Sequence, residues 1–97
     1  MEELREGKVW TMQMVNPLFG GMERVRVRVQ NIQEVDWEGR RVPIYCLTFQ
    51  AEPRVWRAYV TNKGQVLYQG TPFGVTLRRE DLPPEVLRFL PEVGVDS

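Results

Sequence analysis

The sequence places an arginine at every second position of one short stretch, in which Arg24, Arg26 and Arg28 alternate with valines. Side chains two residues apart in an extended strand project from the same face, so the three guanidinium groups would form a row. Each guanidinium offers a planar fork of N–H donors that fits a phosphate or a carboxylate. These three residues are therefore the candidate anion-binding site, with a nucleic acid or a carboxylate-rich molecule as the ligand.

A solvent-facing strand is the alternative explanation of this row. Its arginines would then pair with carboxylates such as Glu34, Glu38 or Glu52 and would discourage pairing at a sheet edge. The chain carries 13 basic and 13 acidic residues, whereas a dedicated nucleic-acid-binding domain shows a basic excess or a strongly basic face. The charge balance favours the solvent-facing strand, and nucleic acid is not the partner that the composition predicts.

A row of carboxylates and one thiol are the remaining groups with potential chemistry. Glu34, Asp36 and Glu38 alternate, so on one strand face they could bind a hard cation or act as acid and base. The alternative, which fits the usual exposure of acidic residues, is a solvated strand end that runs into a hairpin. Cys46 lies in an apolar stretch, which favours an inert packed thiol over a reactive one.

The composition excludes most familiar active sites. The chain has no histidine, a single cysteine and a single serine, which is the last residue, so it lacks the groups of a serine or cysteine hydrolase and of a zinc cage. No stretch matches a phosphate-binding loop or a dinucleotide fingerprint. We therefore expect a non-enzymatic protein with no catalytic residue, no cofactor and no metal.

Large apolar side chains form a third constellation. Most of them must fill the core, because so small a domain has little else to build one from. A curved sheet could also present them as an apolar groove for a lipid-like ligand or a protein partner. The candidate ligand-binding residues are Trp10, Met12, Met14, Tyr45, Phe49 and Trp56.

Strands must position these side chains, because apolar and polar residues alternate along much of the chain. Residues 37–39 (WEG) and 62–64 (NKG) each offer a glycine for the positive φ of a three- to five-residue hairpin. The alternation slips past Gln30, which predicts a bulge near Asn31 or a strand end there.

The sequence therefore predicts a mainly β fold: a single curved antiparallel sheet or incomplete barrel of five to seven strands, with one short C-terminal helix. Asp81 can cap this helix, Pro83 and Pro84 suit its first turn, and Pro91 ends it. We expect one β-rich domain over residues 1–97, in which residues 1–7 and 92–97 are flexible tails.

The order of the hairpin motifs resembles that of uncharacterised bacterial domains of the lipoprotein-carrier-like half-barrel type. The resemblance covers residues 16–80 and is carried by NPLFGGMERVRVRV, VDWEGRRVPIYCLTF and VWRAYVTNKGQVLYQGTPFGVTLRRE. It implies a curved antiparallel sheet that holds an apolar ligand or serves as a structural module beside another domain, and it implies no catalytic residue. The matching positions are Asn62, Gly64, Val66, Leu67, Pro72, Gly74 and Val75.

The N-terminal stretch MEELREGKVW is acidic and has no apolar run, which predicts neither a signal peptide nor a membrane span. A complete chain would then be cytoplasmic, and a domain excised from a longer protein could be extracytoplasmic. Eleven of the thirteen basic residues are arginine, a bias that is typical of a high-GC bacterial, and in some cases thermophilic, source.

These patterns predict a binding or interaction module whose apolar sheet face meets a lipid-like ligand or a protein partner. The alternatives are a small enzyme or cation-binding domain that uses carboxylates, and a nucleic-acid or anion binder that uses the arginine row. An uncovered sheet face or edge in so small a chain also predicts a two-fold homodimer.

Overall fold

A computed structural model describes residues 4–15, 20–71 and 76–91 of the chain. The strands in these ranges form one open antiparallel sheet in the order β1-β2-β3-β4-β5-β6, and a single short helix follows them. The predicted mainly β fold is thereby confirmed. The elements are β1 (Val9–Val15), β2 (Met22–Trp37), β3 (Arg40–Ala51), β4 (Arg54–Thr61), β5 (Val66–Gln69), β6 (Leu77–Arg78) and α1 (Pro84–Phe89).

Two hairpins fix the order of the central strands. β2 and β3 are joined by Glu38 and Gly39 alone, with φ of 53° and 84°, which is the two-residue loop that matches the strand twist best and is shorter than predicted. The loop between β4 and β5, residues 62–65, has the predicted length. Within it the Gly64 N–H donates to the Thr61 carbonyl at 3.0 Å, and Gly64 has a φ of 85°.

A bulge in β2 changes which side chains face each side of the sheet. The register with β3 shifts between Val29 and Asn31, which confirms the bulge predicted near Asn31. The extra residue, Gln30, lets Ile32 lie on the same face as Val29 although the two are an odd number of positions apart. The apolar stripe of β2 thus continues on one face across the slip.

That face of the sheet, which we call the apolar face, carries the larger of two core clusters. Val25, Val27 and Val29 are 1%, 0% and 0% exposed, and Phe49 and Trp56 stack beside them with ring centroids 5.7 Å apart. The cluster also includes Leu47, Ala51 and Ala58, with Leu4, Trp10, Met14, Ile32, Tyr45 and Val60 packed against it.

The segment before β1 is hydrogen-bonded to β2. The Gly7 N–H donates to the Val29 carbonyl and the Val29 N–H donates to the Lys8 carbonyl, both at 2.9 Å. The Glu6 carboxylate accepts from the Ile32 N–H at 3.1 Å, next to the bulge. Residues 1–3 and 92–97 of the predicted tails lie outside the described residues, as do Pro72, Gly74 and Val75 of the resemblance.

Helix α1 covers one half of the opposite face. Val86 and Leu90 pack there against Ile44, Cys46 and Tyr59, and all five side chains are 9% exposed or less. Because α1 has six residues, its stability must come from this packing rather than from its own hydrogen bonds.

Arg78 of β6 holds the end of the helix. Its side chain donates to the Pro91 carbonyl at 3.0 Å and to the Leu87 carbonyl at 3.3 Å. The N-cap is Pro83, without a side-chain cap. Asp81, which the sequence predicts to cap, instead accepts two hydrogen bonds from Arg79 at 3.1 Å.

Candidate anion-binding face

Strand β2 positions the predicted arginine row as the alternation requires. Val25, Val27 and Val29 are buried on the apolar face, and the arginines between them are exposed on the opposite face. β2 lies between β1 and β3 in the sheet. The row is therefore central to an exposed surface rather than at its edge.

Most neighbours of this row are polar. Directly opposed residues of antiparallel strands share a face, and the register places the row opposite Thr11 and Gln13 on β1 and opposite Thr48 and Gln50 on β3, while Arg28 also lies opposite the exposed Val9. Helix α1 covers only the other half of this side of the sheet.

A fourth arginine joins the surface from β4. Arg57 is exposed and lies opposite Thr48, which lies opposite Arg28. Arg57 is not among the predicted anion-binding residues, although its position between the apolar Trp56 and Ala58 is a signal for an outward-facing side chain. We call this surface the Arg face; it comprises Arg24, Arg26, Arg28, Arg57, Thr11, Gln13, Thr48 and Gln50.

Of the carboxylates that the sequence offers as partners, Glu34 is engaged elsewhere, and Glu52 lies beside the row without an ion pair to it. Arg41 pairs with Glu34 at 3.5 Å and with Asp36 at 3.3 Å, and Glu52 accepts a hydrogen bond from Gln50. Within the described residues, the four arginines of the Arg face make no ion pair. The solvent-facing alternative therefore lacks the ion pairs that it predicts for this row.

A depression of about 270 Å³ lies in the Arg face. Guanidinium, hydroxyl and amide groups line it and supply hydrogen-bond donors for an anion, while Glu52 adds a carboxylate at one side. The lining residues are Thr11, Arg24, Arg26, Gln50, Ala51 and Glu52.

Tyr59 marks the boundary between the Arg face and the half covered by α1. Its ring meets those of Tyr68 and Phe89 edge to face, with centroids 5.6 and 5.7 Å apart. Burial, helped by the neighbouring Cys46, raises the pKa of the Tyr59 hydroxyl, and the Arg57 guanidinium opposes this rise. Arg57 thus lies within electrostatic reach of the covered half.

The six predicted ligand-binding residues all lie on the apolar face, which brings them together. Phe49 and Trp56 are 9% and 8% exposed, Trp10, Met14 and Tyr45 are half-buried, and Met12 is 41% exposed. Ligand binding by this set stays a prediction, and most of its surface packs within the core.

The predicted carboxylate row is divided by the β2–β3 hairpin. Glu34 and Asp36 share Arg41 on the strands, and Glu38 lies in the turn. Among residues 4–15, 20–71 and 76–91, no three metal-ligating side chains come together. The Cys46 thiol is 2% exposed beneath α1.

A second cavity, of about 600 Å³, opens between the β2–β3 and β4–β5 hairpins at the far end of the sheet. It is mixed in character, with Arg40 and Lys63 beside Trp37 and Pro43. In the part of the chain that the structure describes, no helix has the length and apolar content to cross a membrane.

Comparison with known proteins gives this chain no family: no family model matches it, and neither does any curated protein or solved structure.

Proposed function

We propose that this chain is a binding module that holds the phosphate backbone of a double-stranded nucleic acid on its Arg face. The observation that carries the proposal is the group of four exposed arginines on one sheet face, which make no ion pair with any other described residue. Local charge, rather than the net charge of zero, decides whether a surface attracts a polyanion.

The spacing of the row favours a polymer of anions over one small anion. Residues two apart in a strand are about 6.8 Å apart, so Arg24, Arg26 and Arg28 can each reach a separate phosphate. Thr11 and Thr48 flank the row and add hydroxyl donors of the kind that commonly contact phosphate oxygens.

The absence of rings from the described part of the Arg face favours a duplex over a single strand. Proteins that hold single strands stack bases on aromatic side chains, whereas Phe49 and Trp56 lie on the apolar face and Tyr59 packs under α1. The bases of a duplex are already stacked on one another. Binding would then be independent of sequence and made to the backbone.

The lipid-like ligand predicted for the apolar face is supported less well. Phe49 and Trp56 are stacked on each other and nearly excluded from solvent, so a ligand would have to separate rings that already have partners.

The test is the salt dependence of binding to a duplex DNA oligonucleotide, measured by fluorescence anisotropy. Each phosphate contact adds about −0.9 to the slope of log K against log salt, so four contacts give a slope of up to about −3.6. We expect Arg26→Gln to weaken binding and to reduce the steepness of the slope by about 0.9.

Arg88→Gln is the matched control, because it removes the same charge from an exposed arginine of α1. It should leave the slope nearly unchanged. Equal effects of the two variants, or no binding at low ionic strength, would overturn the proposal. Binding of an acidic peptide in place of DNA would assign the Arg face to an acidic protein partner.

A further inference from the structure

Strand β1 lies at one edge of the sheet. Among the described strands it pairs with β2 alone, and its sequence VWTMQMV contains no charged residue, proline or glycine. Natural proteins usually block such an edge with charges, proline or a bulge, because its free N–H and C=O groups can pair with another strand. The opposite edge, β6, has only two residues.

The hydrogen bonds to β2 identify which backbone groups of β1 are free. The Val29 N–H donates to the Lys8 carbonyl, so Lys8 points toward β2. Because backbone direction alternates along a strand, Trp10, Met12 and Met14 also point toward β2. The N–H and C=O groups of Val9, Thr11, Gln13 and Val15 therefore point away from the sheet.

We propose that β1 pairs antiparallel with β1 of a second copy of this chain, about a two-fold axis that passes through Met12. In this register each residue of β1 lies opposite a residue of β1 in the other copy. Val9 opposes Val15, Trp10 opposes Met14, Thr11 opposes Gln13, and Met12 opposes Met12 of the other copy. The four residues with free backbone groups oppose one another, as an antiparallel ladder requires.

This pairing covers exposed apolar side chains on both sides of β1. Met12, on the apolar face, is 41% exposed in the single chain, and Val9 and Val15, which lie on the same side as Arg28, are 44% and 63% exposed. In the dimer methionine meets methionine on the apolar face, and valine meets valine on the opposite side. A register shifted by two residues shortens the overlap and ends the contact between Val9 and Val15.

The two-fold axis of such a pair is perpendicular to the sheet, so the Arg faces of both copies lie on the same side of the joined sheet. The two Arg faces then form one continuous surface, a consequence that rests on the proposed function, whereas the pairing itself does not. Contact through the Arg faces themselves is disfavoured, because it would oppose guanidinium groups of like charge.

A cysteine at the axis tests the pairing directly. Met12 and its counterpart form a non-hydrogen-bonded pair, with Cα atoms about 4.5 Å apart, which is within disulfide range. Met22→Cys is the matched control, because Met22 is 62% exposed at the start of β2 and is separated from its counterpart by both β1 strands. Cys46 is buried and common to both variants.

We expect Met12→Cys to form a covalent dimer about a hundredfold faster than Met22→Cys at low micromolar protein under mild oxidation, since pairing holds the thiols at millimolar effective concentration. Equal rates would overturn the pairing, as would a monomer in sedimentation at high micromolar concentration. No nucleic acid is present in either measurement, so failure of the proposed function would not affect the result.

Thr11→Pro provides a second measurement, because it removes an N–H that points away from β2 and leaves the β1–β2 ladder intact. It should convert the dimer to a monomer with an unchanged far-UV circular dichroism spectrum. A dimer that persists in this variant would contradict pairing through β1.

Discussion

The side of the sheet that carries the Arg face has two halves, built by the same strands and opposite in character. On β3, Thr48 and Gln50 are half-buried neighbours of arginines, while Ile44 and Cys46 on the same face are 0% and 2% exposed beneath α1. The bulge of β2 lies at the boundary between the halves. Helix α1 covers one half, and the arginines of the other half are exposed to solvent.

The difference shows that strand alternation alone does not decide what a sheet face does. Along β3 the period of two is unbroken, and only the residue types change from apolar to polar. The apolar half needs a cover, which a six-residue helix is just long enough to supply. The polar half needs none for stability, because its arginines are solvated.

The largest predicted effect is a difference in stability cost between two substitutions on β3, one in the half covered by α1 and one in the Arg face. Ile44→Ala should lower the free energy of unfolding by about 2 to 5 kcal/mol, because it leaves a cavity under α1. Thr48→Ala, on the same face, should cost about 1 kcal/mol or less. Urea denaturation of both variants measures the contrast, and equal costs would mean that the Arg face is packed like the core.

The next largest effect concerns Arg78, whose side chain donates hydrogen bonds to the end of α1. Arg78→Met should cost about 2 kcal/mol, because it removes two charge-assisted hydrogen bonds to the carbonyls of Leu87 and Pro91. Arg79→Met is the control, since its ion pair with Asp81 is exposed, and it should cost much less. If both variants lowered the midpoint of thermal denaturation by the same amount, the stability of α1 would not depend on the hydrogen bonds of Arg78.

The sequence predicts where the arginine row lies, but it does not predict how far the Arg face extends across the sheet. The alternation of Arg24, Arg26 and Arg28 with valines is a local signal, and one strand is enough to place the row. Arg57 joins the row only because β4 pairs with β3 in one register, and a register is a non-local property that no stretch of β4 specifies.

The remaining differences have similar causes. The slip past Gln30 predicts the bulge correctly because it breaks a local period. The partners of Glu34 and Asp81 depend on where side chains lie after folding. Glu34, a candidate partner of the arginine row, pairs with Arg41, and Asp81, a candidate helix cap, pairs with Arg79. Burial of Phe49 and Trp56 follows from their stacking across β3 and β4, which residue types alone do not reveal.

A smaller effect lies at the hairpin that ends the covered half. Glu38 has a φ of 53°, a conformation that asparagine tolerates better than glutamate. Glu38→Asn should raise the free energy of unfolding by about 0.5 to 1 kcal/mol. Glu38→Gln, which removes the same charge near Glu85, should leave it nearly unchanged, and an equal gain would assign the effect to charge instead.

The smallest effect at neutral pH comes from Tyr59, which lies at the boundary of the covered half. Its pKa is raised above the ordinary value of 10.0 chiefly by burial, so the folded chain keeps a proton that the unfolded chain loses more easily. The stability tied to this proton is complete below pH 10 and falls as the pH rises through the folded-state pKa. Tyr59→Phe should flatten the loss of stability that urea denaturation measures above pH 10. An unchanged pH profile would mean that the boundary between the halves is open to water, and that α1 excludes solvent only from the side chains farther from the Arg face.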